Sequence, residues 1–270
     1  MTATQRIIRS NGLPDHAPGA FPNKGNPNKI SAQKYEFKMT LKPKAADEPT
    51  PAQHWFFGVA LNGVPFEPGT AEVWNRDPSS GWHYQAMSGK MDLGLDSHHA
   101  HVQPNGAYHY HGLPTGMLEL AKAKADSMTL VGWAADGLPM YALNGYADAK
   151  DPKSKVRELK SSYRLKQGKR PKEADGPNGT YDGLFEEDFE YVKGLGDLDE
   201  LNGREGVTPE FPNGTYYYVI THDYPFIGRS WKGTPDPSFR KSGGGRGGPG
   251  GPGGPGGPGR PGGPPPPPRR

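Results

Sequence analysis

Apolar and polar residues alternate along this chain more often than they recur every three or four positions. Alternation puts neighbouring side chains on opposite faces of a strand, whereas a 3.6-residue period marks a helix. Tyr35, Phe37, Met39 and Leu41 are spaced by Glu36, Lys38 and Thr40, which predicts a half-buried strand. Residues 54–61, then Asn62-Gly63, then Val64-Pro65-Phe66 predict a hairpin, because Asn-Gly suits a tight turn. Residues 128–134 and 138–143 flank Asp136-Gly137 and predict another, and the Tyr-rich run 215–221 predicts a late strand. The best helical pattern is 115–126, with Leu113, Met117, Leu120 and Ala121 on one side. The expectation is a mainly β, minor α fold: a single β-rich domain of hairpins with a few short helices, residues 30–240, between disordered termini. Residues 1–29 are polar and rich in Pro, Asn and Gly, and read as an extended or disordered arm. Residues 241–270 are almost entirely Gly, Pro and Arg, with Gly-X-Pro triplets too few for a triple helix; they read as a disordered tail.

Residues 97–112 hold five of the nine histidines. At their centre, Pro104-Asn105-Gly106 suits a three-residue hairpin loop, with Pro presetting φ and Gly taking the left-handed position. That register pairs His101 with His109 and His99 with His111, all four on one face, and puts Ala100, Val102, Tyr108 and Tyr110 on the other. A two-residue Asn-Gly loop would instead place the first two histidines opposite the last two. Pro-Asn-Gly recurs at Pro177 and Pro212, read as independent turns.

Neutral imidazoles bind Zn, Cu, Ni or Fe, so His99, His101, His109 and His111 are the candidate ligands of a divalent transition metal, Zn or Cu first. Three can ligate while the fourth hydrogen-bonds, or pairs can combine with Asp92, Asp96, Asp136 or Glu67. Asp96 is the first candidate for an acceptor behind the rings, with Asp136 next. His83 and His222 join only if the fold brings them near. Two metal-free readings stand beside this one: a His/Tyr ladder that only stabilises the hairpin, and general acid–base catalysis. There is no nucleophile elbow, phosphate loop, dinucleotide fingerprint or His-Glu-x-x-His. A metal-assisted hydrolase or a copper or iron oxidoreductase therefore competes with a non-catalytic ligand-binding module. An open coordination position favours the first.

The formal charge is +3, but residues 243–270 carry four arginines and no acid, leaving about −1 on the rest. That excludes a basic nucleic-acid-binding fold and leaves the tail as a candidate contact for anionic surfaces. Basic residues across 150–172 and acidic ones across 182–200 read as a solvated insertion that balances itself. With no cysteine, disulfides and thiolate sites are excluded. No apolar run reaches the ~20 residues of a membrane span, and the N-terminus shows no signal peptide.

The segment Tyr108-His109-Tyr110-His111 resembles the signature of the YHYH-domain proteins. The likeness takes in Leu61-Asn62-Gly63-Val64-Pro65-Phe66, the run from His99 to Leu113-Pro114-Thr115-Gly116, Asp136-Gly137-Leu138-Pro139-Met140-Tyr141, and Thr208-Pro209-Glu210-Phe211-Pro212 through Tyr216. It implies an extracytoplasmic protein, periplasmic or secreted, and supplies no activity; an unidentified small molecule or surface polymer is the expected partner. Relatives often carry cysteines near Leu201 and Ser230, which this chain lacks.

Overall fold

Most of the expected strands meet in one eight-stranded sheet. Its spatial order is Gly203–Gly206, Thr215–Ile220, Pro139–Ala142, Thr129–Ala134, Gly58–Ala60, Pro65–Phe66, Tyr108–Tyr110 and Ala100–Val102. The computed structural model describes residues 3–172 and 175–241; the expected Gly-Pro tail, residues 241–270, lies outside them but for Lys241. The β-rich single domain with few short helices is as expected. Thr129–Ala134 and Pro139–Ala142 form the hairpin around Asp136-Gly137, with Gly137 at φ +90°. Most neighbours are antiparallel, but Pro65–Phe66 runs parallel to Tyr108–Tyr110, with Phe66 opposite Tyr110. That crossover carries the next residue, Glu67, to the histidine hairpin, where its N–H donates to Tyr110 O at 2.9 Å.

Aromatic side chains supply much of the core. Trp231 is fully buried, stacks on Phe57 at 5.4 Å and donates its indole N–H to Phe57 O at 2.8 Å. The indole thus contributes apolar burial without orphaning its donor. Phe37 and Met39, the inward half of the expected alternation in Tyr35–Thr40, are buried in the same cluster.

Two expectations change. Residues 3–29, expected to be an extended or disordered arm, pack on the domain: Gln5–Ser10 pairs antiparallel with Tyr35–Thr40, and the chain after it crosses the histidine hairpin. Asn26 and Asn28 donate side-chain N–H bonds of 2.9 and 2.8 Å to Val102 O. Ala100–Val102 lies at the sheet edge, where unpaired carbonyls need donors; the polar residues that looked like solvated arm provide them. The helix is also shorter than 115–126. It spans Thr115–Leu120, and Lys122 at φ +50° turns the chain out of helical geometry.

The charged insertion balances itself in part as expected, with Arg157–Asp197 and Arg164–Glu190 at the surface. One pair is not solvated: Arg170 reaches the wholly buried Asp188 at 2.7 and 2.5 Å.

The three-residue loop is the observed one. Gln103 N–H donates to Ala107 O, Gly106 N–H donates to Gln103 O, and Gly106 sits at φ +85°. A Cβ there would also collide with Ser31 Oγ, which hydrogen-bonds Asn105 O. Gly106→Ala is expected to cost about 1–3 kcal/mol from left-handed strain and the clash. Equilibrium urea unfolding checks this; an unchanged midpoint would show that the loop does not anchor the hairpin.

Candidate metal centre

The hairpin register pairs His101 with His109, and Ala100 and Val102 with Tyr110 and Tyr108. Strand alternation then sends His101, His109 and His111 to one side. Their rings form a nearly equilateral triangle, with centroids 4.7, 4.8 and 4.8 Å apart. His109 Nε2 lies 3.0 Å from His111 Nε2, which lies 3.1 Å from His101 Nε2. Among the described residues these three form the one group of His, Cys, Asp or Glu whose ligand atoms all lie within 4.8 Å of one another.

The outer nitrogens set the tautomers. His101 Nδ1 is 2.9 Å from Leu93 O, and His109 Nδ1 is 3.1 Å from Ala107 O. A carbonyl oxygen only accepts, so both Nδ1 atoms carry the hydrogen and both Nε2 atoms present lone pairs inward. His111 Nδ1 is buried without a partner. If His111 carries its hydrogen on Nε2, it can satisfy a neighbour, but its Nδ1 lone pair stays orphaned. If it carries it on Nδ1, its Nε2 lone pair faces those of His109 and His101 at 3.0 and 3.1 Å, an arrangement that a cation relieves. Imidazoles about 2.0–2.1 Å from one ion would stand roughly 2.9 Å apart on an octahedral face and roughly 3.3 Å apart in a tetrahedron. The two spacings from His111 Nε2, 3.0 and 3.1 Å, lie between these limits.

Burial holds His109 and His111 well below the ordinary imidazole range, and the neighbouring rings push the same way. Burial also lowers His101, against the raising effect of its bond to Leu93. The trio is therefore neutral when folded, as ligands must be. Its members titrate near 6.5 when unfolded, so below that pH unfolding takes up protons. The metal-free protein should hold its stability above about pH 6.5 and lose it as pH falls, by up to ~1.4 kcal/mol per pH unit for each ring. Denaturant melts of stripped protein at several pH values check the slope; a flat profile between about pH 7 and 5 would contradict buried neutral rings.

His99 does not join the trio. Its backbone still pairs, with His111 N–H donating to His99 O at 2.7 Å, but its φ is +56°. The alternation argument assumes an extended residue. Here a turn from Asp96 closes just before the strand, and the left-handed backbone sends the ring to Leu113 O, 2.9 Å from Nδ1. Asp96 and Asp136 also differ from expectation. Asp96 ties the turn, accepting from His98 N–H, Ala100 N–H, Gly19 N–H and the Tyr108 hydroxyl. Asp136 is buried and accepts from the Tyr218 hydroxyl at 2.7 Å and Gly233 N–H at 3.0 Å. Backbone carbonyls, which no side-chain pattern reveals, stand behind His101 and His109 instead.

The carboxylate beside the trio is Glu67. Its Oε2 lies 3.7 Å from His109 Nε2 and accepts from Gln103 Nε2 at 2.6 Å, while Lys241 pairs with Oε1. Burial raises its proton affinity, opposed by Lys241 and Gln103. Glu67 and Gln103 both fall in segments with clear turn signals, but nothing in their local sequence marks them as partners.

The family model of the YHYH proteins matches residues 36–233, most of the chain. This protein therefore belongs to the YHYH family, whose namesake residues are the two tyrosines of the buried face and two of the three converging imidazoles. Comparison with curated proteins and with solved structures finds no match. No helix among the described residues is long and apolar enough to cross a membrane.

Proposed function

We propose that this YHYH domain is an extracytoplasmic metalloprotein whose centre is a divalent transition metal, zinc or copper, held by the Nε2 atoms of His101, His109 and His111. The clustering of three imidazoles, with His111 Nε2 3.0 and 3.1 Å from the inward, tautomer-fixed Nε2 atoms of His109 and His101, carries this reading. A hydrogen-bonded ladder accounts for it less well, because the single hydrogen that His111 Nε2 can carry cannot fully satisfy both the His109 and His101 lone pairs it faces.

Three protein ligands leave a coordination position for water or substrate, the pattern of reactive rather than closed structural centres. When bound, the metal would supply Lewis acidity, favouring metal-assisted hydrolysis of a small molecule or surface polymer. Glu67, 3.7 Å from His109 Nε2, is placed to take a proton or to complete the ligand set, with Gln103 and Lys241 holding it in place. The test is calorimetric titration of stripped, tag-free protein with Zn(II) and Cu(II). One equivalent bound is expected, and absence of stoichiometric binding by either ion would overturn the reading.

A further inference from the structure

Glu67 also lines a cleft of about 300 Å³, walled further by Gln53, Trp55, His83, Arg229 and Lys241. The metal reading uses Glu67 and Lys241 but leaves the rest of this cleft unassigned. Within it His83 is held twice by one carboxylate: Nδ1 lies 2.7 Å from Glu187 Oε1, and the backbone N–H donates to Oε2 at 2.7 Å. A carboxylate gripping both ring and backbone fixes the ring's orientation. It also fixes the tautomer, because an ionised carboxylate accepts only; Nδ1 carries the hydrogen, and Nε2 of the neutral ring carries a lone pair. That lone pair meets Gln53 Nε2 at 3.0 Å. Gln53 is exposed, so its amide N–H marks the direction from which a hydroxyl donor would approach.

The turn that bears Gln53 adds a second observation. Trp55 N–H donates to Ala52 O at 3.1 Å, and His54 between them sits at φ +65°. Glycine takes that conformation with least strain, yet here it carries an exposed imidazole on the cleft rim. Strained non-glycine positions cluster at functional sites. Each cation of the cleft faces a carboxylate, Arg229 with Glu186 at 2.6 Å and Lys241 with Glu67, although Arg229 Nε and Nη2 are buried without a hydrogen-bond partner. With the charges paired, the cleft suits a ligand without net charge.

We propose that this cleft is a second functional site, in which His83, oriented by Glu187, accepts a proton from the hydroxyl of a small neutral ligand. The ligand O–H bond breaks and an Nε2–H bond forms. The oxygen keeps the electron pair, and the charge gained by the ring faces the Glu187 carboxylate. Gln53 must swing aside as the ligand enters. This role does not depend on metal at the histidine trio.

The test uses the full chain and diethyl pyrocarbonate, with each histidine followed by peptide mass spectrometry. An imidazole lone pair attacks the reagent's carbonyl carbon, an N–C bond forms, and ethyl carbonate leaves as ethanol and carbon dioxide. His83 is expected to react at least tenfold faster than exposed His54. Gln53→Ala should raise the His83 rate further, and Glu187→Gln should bring it to that of His54. Glycerol should slow His83 and leave His54 unchanged, whereas inorganic phosphate at matched ionic strength should slow neither selectively. A His83 rate no greater than that of His54 would overturn the proposal, as would selective protection by phosphate but not glycerol. The comparison of two histidines within the wild-type chain stands even if Glu187→Gln fails to fold.

Discussion

Protein purified without a His-tag is expected to carry one transition-metal ion per chain, and His109→Ala and His111→Ala are each expected to weaken its binding at least tenfold. Loss of a partner behind a ligand already costs 10–100-fold in metal affinity, so loss of the ligand itself should cost no less. His109 and His111 are 1% and 2% exposed, so water cannot easily replace either ring. The double variant should be empty by elemental analysis. His99→Ala should keep its metal, because that ring is turned to Leu113 O. Full occupancy in the double variant would eliminate the site, and loss of metal from His99→Ala would restore the four-histidine reading over the three-histidine one. Metal should leave the wild-type protein only as pH falls well below the ordinary imidazole range, because burial already disfavours protonation of His109 and His111.

The largest loss of stability is expected from Arg170→Ala. Asp188 is fully buried and accepts from Arg170 Nε and Nη2, and from Gly183 and Phe185 N–H at 2.9 and 3.2 Å. Removing the guanidinium leaves that carboxylate in the interior with backbone donors but no countercharge. Breaking a buried pair in this way costs about 3–5 kcal/mol. At about 2–4 °C per kcal/mol for a domain of this size, the melting temperature should fall on the order of 10 °C. Thermal unfolding of the variant measures this, and a shift within about 2 °C would mean that the pair is replaceable. The effect has a functional side. Asp188 closes the turn that presents Glu186 and Glu187, so the His83–Glu187 contact should loosen together with the fold.

Where expectation held, local chemistry was sufficient. Pro104-Asn105-Gly106 determined the hairpin loop because only one placement suits both Pro and a left-handed Gly. The loop set the register, and the register put His101, His109 and His111 on one face. Asp136-Gly137 and the alternation in Tyr35–Thr40 were legible for the same reason: backbone preference and side-chain period act within a few residues.

Tertiary structure decided the rest, because it depends on groups far apart in sequence. His99 lost its place to a turn tied by Asp96, whose other oxygen is held by Tyr108 and Gly19. The N-terminal asparagines became part of the fold because an edge strand 70 or more residues away needed donors. Glu67 reached the trio through a parallel crossover, and Lys241 reached Glu67 across 174 residues. The sequence by itself determined the hairpin and its row of imidazoles, since turn chemistry and strand alternation are local. Which three rings converge, which carboxylate stands beside them, and which carbonyls set their tautomers were decided only by packing, where burial and unsatisfied backbone groups outweigh local pattern.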